Sequence, residues 1–85
     1  MHKFRFTVLT EEGNVFDDLV NKVIVNTSEG EITVLKNHIP LITTVNKGRL
    51  IILKDNFETK YEISDGVLKI KREETVLMTN RVLKK

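Results

Sequence analysis

Apolar and polar residues alternate with a period of two almost from the first residue: Phe4, Phe6 and Val8 are interleaved with Lys3, Arg5 and Thr7. Successive side chains of a strand point to opposite faces, so this pattern puts the apolar groups on one side of a half-buried β-strand. The segment Phe57-Glu58-Thr59-Lys60-Tyr61-Glu62-Ile63 repeats it, with Phe57, Tyr61 and Ile63 expected inward and Glu58, Lys60 and Glu62 toward solvent. A register slip of one residue would bury those charges, so the pattern restricts its own pairing.

Turn-forming clusters separate such segments at short intervals: Glu12-Gly13-Asn14, Ser28-Glu29-Gly30, Lys47-Gly48, Asp55-Asn56, Ser64-Asp65-Gly66 and Glu73-Glu74. No long window repeats apolar residues at three-and-four spacing, and β-branched residues crowd Val20 to Val25 and Ile39 to Val45. The reading is an all-β fold, a flattened antiparallel β-sandwich or barrel of about 8–10 short strands. With 85 residues it forms one domain over 1–85. Leu50-Ile51-Ile52-Leu53 breaks the alternation: with Leu50 and Ile52 inward, Ile51 and Leu53 point out of the sandwich and need cover, from a neighbouring loop or from a partner.

Composition narrows the class. Hydrophobic residues at 40% and charged residues at 31% fit a soluble globular domain and not a disordered segment. No apolar run approaches the roughly 18 residues of a membrane-spanning helix, and the start has no signal-peptide core, so a cytoplasmic chain is expected. The absence of cysteine removes disulfides, thiolate catalysis and thiolate metal sites together. Net charge is only +2, yet Lys69, Lys71, Arg72, Arg81, Lys84 and Lys85 stand against Glu73 and Glu74 alone, which makes the C-terminal stretch basic.

Chemistry-bearing patterns are sparse. The 2 histidines, His2 and His38, lie in unrelated segments, with His2 at a terminus expected to move. No metal-ligand spacing is present, and the glycines form no phosphate-cradling loop. The expectation is no catalytic residue, no metal site and no cofactor. The acid pairs Asp17-Asp18, Glu29 with Glu31, and Glu73-Glu74 read as solvated turn carboxylates.

Motif order adds a resemblance. Thr10-Glu11-Glu12-Gly13 precedes Val15-Phe16, followed by Val23-Ile24-Val25, Ser28-Glu29-Gly30-Glu31-Ile32, His38-Ile39-Pro40-Leu41, Ser64-Asp65-Gly66-Val67-Leu68 and Thr75-Val76-Leu77. Over nearly the whole chain this order resembles the epsilon subunits of rotary F-type ATP synthases. The resemblance implies the N-terminal sandwich of a non-catalytic central-stalk subunit, held between the gamma subunit and the membrane ring of c subunits, peripheral on the cytoplasmic face of the membrane. By the same resemblance, Val15, His38, Ile39, Ile42, Thr43 and Leu68 face gamma, and Thr10, Ser28, Glu29 and Glu31 face the c-ring.

Some positions depart from the family pattern. Thr33 stands where the family has glycine, and Lys36-Asn37 where it has Pro-Gly; Asn37 is expected to take the left-handed turn conformation that asparagine tolerates. The family's two-helix C-terminal domain does not follow Lys85, so no hairpin-based inhibition is expected of this chain. His38 is open to three readings: a loop residue satisfied by backbone carbonyls, a contact to gamma, or a ligand. Two other classes stay open, a nucleic-acid binder stacking bases on Phe4, Phe6, Phe16, Phe57 or Tyr61, and a scaffold for an unrelated partner. Apolar surface meant for gamma would also let the isolated chain self-associate.

Overall fold

A computed structural model describes residues 2–84 of the chain. Nine strands follow one another: β1 (Phe4–Thr10), β2 (Gly13–Val20), β3 (Lys22–Thr27), β4 (Gly30–Val34), β5 (Leu41–Lys54), β6 (Phe57–Ile63), β7 (Gly66–Ile70), β8 (Glu74–Thr79) and β9 (Val82–Lys84). Hydrogen bonding runs in the order β2-β1-β8-β7-β5-β3-β4, with β6 on the other flank of β5 and β9 on β6. No helix among the described residues is long and apolar enough to cross a membrane.

The strand β5 explains how one sheet becomes two layers. Its first part, Leu41–Val45, pairs with β7, whereas Gly48–Lys54 pairs with β6 and Leu50–Leu53 with β3. The register against β3 jumps from Val25↔Leu50 to Thr27↔Val45. Lys47-Gly48, read from sequence as a turn between strands, is therefore the corner within a single strand. A side chain at Gly48 would lie 3.1 Å from the Asn26 amide, and Asn46 Nδ2 donates to the Thr27 carbonyl at 3.2 Å, so the crossing strand fits closely against β3.

The core forms between the layers. Phe6, Val8, Leu68 and Leu77 from one meet Val25, Leu50, Ile52 and Ile63 from the other, all essentially without solvent exposure. The alternation read at Phe4, Phe6 and Val8 holds, and Phe16 closes over Phe6 with ring centroids 6.0 Å apart. Burying one such side chain contributes about 1.5–3 kcal/mol. Two expectations change. Pairing is antiparallel except at β1–β8, where Arg5↔Glu74 through Leu9↔Met78 run parallel. Phe57 keeps the inward phase of β6, opposite Lys54, but lies past the end of the core at the β5–β6 hairpin tip and is 79% exposed.

Ile51 and Leu53 take the outward phase as expected and are covered locally. Ile51 pairs across the sheet with Ile24, and Leu53 shares a cleft with Leu35 and His2. His2 is held in place, since its carbonyl accepts from Asn21 Nδ2 at 3.3 Å, where sequence had suggested a mobile end. Asn21 also accepts from the Asp55 amide at 2.6 Å and donates its own amide to Leu53 at 2.8 Å, locking β2, β3 and the β5–β6 turn into one corner. The corner is ringed by ion pairs: Lys3–Asp55 at 2.8 Å, Lys54–Asp18, and a two-pronged Arg5–Asp17 contact at 2.8 and 2.7 Å. The Arg5 guanidinium holds the Asp17 carboxyl below the usual carboxylate range, Lys54 does the same to Asp18, and Asp18 in turn raises Lys54. The adjacent acids Asp17 and Asp18 thus serve different cations on opposite phases of β2. Lys85, in the basic stretch, lies outside the described residues.

Candidate interaction surfaces

Two regions collect the residues singled out from sequence. The first is an acidic rim at one end of the sandwich. Register links Gly13↔Thr10, Thr79↔Gly66, Gly66↔Val45 and Thr27↔Gly30, so the β1–β2 and β3–β4 turns stand at the same end on opposite flanks. Both turns use one device. Thr27 Oγ1 donates to the Gly30 carbonyl at 2.7 Å and accepts from the Glu29 amide at 3.1 Å; Thr10 Oγ1 donates to Gly13 at 3.3 Å and accepts from Glu12 at 3.1 Å. Ser28, Glu29 and Glu31 project into solvent from this frame, beside Glu11 and Glu12.

Between the turns the rim is tied down. Thr79 Oγ1 donates to the Ser64 carbonyl at 2.8 Å, the Lys47 amide donates to Asp65 Oδ1 at 2.6 Å, and a Cβ at Gly66 would stand 2.1 Å from the Met78 carbonyl oxygen. Only glycine lets β7 approach β8 there.

The second region runs from the loop after β4 onto the outer face of β5, β7, β8 and β1. Asn37 adopts φ 68°, the expected left-handed turn, and the His38 amide closes it by donating to Leu35 at 3.1 Å. His38 Nδ1 donates to the Ile39 carbonyl at 2.7 Å, one backbone contact of the kind the first of its three readings called for. Beyond it Ile39 is 77% and Ile42 70% exposed, an unusual display of isoleucine. Thr43 lies on the opposite phase from Ile42 and is half-buried, and Val15 sits 43% exposed at the bulge of edge strand β2.

Leu68 must be corrected. It pairs with Thr43 and Leu77 on the inward phase and is 0% exposed, so it fills the core and presents no side chain to a partner. The outward residues of this face are its neighbours. The rows Leu9↔Met78↔Val67↔Thr44 and Thr7↔Val76↔Lys69↔Ile42 place Leu9, Val67, Val76 and Met78, all half-buried, between Ile42 and the β2 edge. Sequence reading missed these residues. In β8 the inward positions are Thr75, Leu77 and Thr79, so two threonines point in while Val76 and Met78 point out, against the polarity rule.

The aromatics form no stacking platform among the described residues. Phe4 and Phe6 are buried, Phe16 packs on Phe6, Tyr61 is half-buried, and Phe57 stands alone at its hairpin tip. No cluster of metal-ligating side chains occurs among the described residues.

A two-layer sandwich with an acidic rim at one end and an apolar outer face defines a β-sandwich domain with two candidate interaction surfaces. The chain belongs to the family described as ATP synthase, Delta/Epsilon chain, beta-sandwich domain, whose model matches residues 3–85. It is 32% identical over 78 residues to an ATP synthase epsilon chain of Alkalihalophilus pseudofirmus, covering 92% of this chain and 59% of that one. It is 40% identical over 70 residues to an ATP synthase epsilon chain of Endomicrobium trichonymphae, covering 82% and 51%. The chain thus spans little more than half the length of these relatives. Its fold is similar to a chain in the Euglena gracilis mitochondrial ATP synthase OSCP/F1/c-ring structure, with a TM-score of 0.91 at 19% identity over 96% of this chain and 53% of that one.

Proposed function

We propose that this domain is a non-catalytic central-stalk element of a rotary F-type ATP synthase, joining gamma to the c-ring and passing rotation between them. The observation that carries the reading is the outer face bordered by Ile42, an exposed apolar surface in a chain whose family match spans residues 3–85. On this reading Ile39 and Ile42 grip gamma together with Val67, Val76 and Met78, while His38, Thr43 and Val15 lie at the margin of that contact. Thr10, Ser28, Glu29 and Glu31 meet the c-ring, where exposed carboxylates set orientation and association rate more than affinity. The domain reaches the membrane through these partners, on its cytoplasmic face.

Calorimetric titration of the chain with its cognate gamma subunit tests the assignment. Binding by wild type is expected, with affinity reduced about 100-fold or more in Ile42→Asp, the penalty of placing a charge in an apolar contact. Because Ile42 is so exposed, its melting temperature should stay close to that of wild type. Gamma binding unchanged in Ile42→Asp would remove this face from the contact.

A further inference from the structure

Pro40 stands between two clefts. One, of about 330 Å³, is lined by Leu41, Ile42, Lys69 and Lys71; the other, of about 480 Å³, by His38, Ile39 and Arg72. A third, of about 460 Å³, shares Asn37 with the second and continues past Leu35, Lys36, Lys22 and Leu53. The clefts adjoin at the shared residues Pro40 and Asn37, and no carboxylate stands in their lining among the described residues. Lys22, Lys36, Lys69, Lys71 and Arg72 form no ion pair among the described residues, whereas Lys3, Arg5, Lys54 and Lys60 all do. Of the acids nearby, Glu73 is exposed beside Arg72, whereas Asp55, bonded through its amide to Asn21, pairs with Lys3, and Glu58, opposite Leu53, pairs with Lys60.

Unpaired cations around exposed isoleucines call for an occupant with both anionic and apolar groups. A bilayer surface is too broad to enter clefts on both sides of a proline, and a nucleic-acid backbone has no apolar groups to cover Ile39 and Ile42. We propose that the clefts adjoining at Pro40 and Asn37 receive an acidic amphipathic segment of a protein partner, with apolar side chains on either side of Pro40 and carboxylates toward Lys36, Lys71 and Arg72. The inference rests on the stalk reading in one respect: it assigns that segment to gamma.

Stopped-flow association of the full chain with gamma, at several salt concentrations, tests it with wild type and Lys36→Gln/Lys71→Gln/Arg72→Gln. All three positions are exposed, and circular dichroism confirms that the variant folds. The expected result is a wild-type association rate that falls steeply with salt and exceeds the variant's by about 10-fold or more at low salt. Gamma binding with a salt-independent rate equal to the variant's would overturn the acidic segment and leave the stalk reading standing; no wild-type binding to gamma would overturn both. Charge-dependent capture by phosphatidylglycerol vesicles, with gamma association indifferent to the substitutions, would overturn the choice of a protein occupant.

Discussion

At the β3–β4 turn a buried threonine hydroxyl ties both ends of the loop, and the Thr10 turn repeats the device, so the glutamates there project from a fixed backbone. Across the molecule, the loop from Leu35 to Pro40 is closed by one backbone bond and one histidine contact, and with the start of β5 it turns Leu35, Ile39 and Ile42 to solvent. The two regions answer different physical demands. Exposed charges contribute about 0–1 kcal/mol per pair, so they are useful only when aimed, and a capped turn aims them. Apolar contact is roughly proportional to area and has no direction, so it needs surface more than precision.

The sharpest way to break this comparison is to disturb the rim that carries the turns. Gly66→Ala drives a methyl into the Met78 carbonyl and should cost about 2–3 kcal/mol of stability, read by urea denaturation. A smaller effect separates the twin turns. Thr27→Val should cost about 1–2 kcal/mol, because Thr27 is buried, and Thr10→Val about 0.5 kcal/mol, because water replaces its hydroxyl. Equal losses would show that burial does not distinguish them.

Titration sharpens the contrast further, since hydroxyl caps ignore pH and the ion-paired corner does not. Asp17 and Asp18 have native values lowered by Arg5 and Lys54, so their contribution is present above the ordinary carboxylate value and is lost as pH falls through the lowered ones. Lys54 is raised by Asp18, so its contribution is complete below the ordinary lysine value and lost as pH rises through the raised one. Thermal melts of Asp18→Asn should therefore lose part of the acid slope, with the Asp17 share remaining, and most of the alkaline one. Asp17→Asn should lose only part of the acid slope, because arginine stays charged. The smallest stability change belongs to Glu31→Lys: its melting curve by circular dichroism should match wild type while association with c-rings slows. A large drop in melting temperature would make Glu31 structural.

Much of the fold was legible because alternation is local. Phe4, Phe6, Val8, Leu50, Ile52 and Ile63 are buried as their phase required, and Asn37 takes the turn conformation its side chain permits. Errors arose where partners distant in sequence decide the outcome. Phe57 has the right phase but no opposite layer to cover it, and Lys47-Gly48 carries turn composition inside a strand that continues. The candidate surface divides the same way. Ile39, Ile42, Glu29 and Glu31 were singled out through the motif order of the resemblance and are exposed, whereas Val67, Val76 and Met78 become neighbours of Leu9 and Ile42 only through the parallel β1–β8 pairing and the β5–β7 ladder. Leu68 was misplaced by one residue of phase.

The continuity of β5 has a mechanical consequence. Ladder hydrogen bonds lie across the strand direction, so a tug along β5 from Leu41 strains several of them at once in shear, whereas peeling would break them singly. A sideways force received near Ile42 therefore enters a covalent chain that runs unbroken to Lys54 and is stitched successively to β7, β3 and β6. Such a strand behaves as a stiff tie across the domain, letting both layers yield together or not at all.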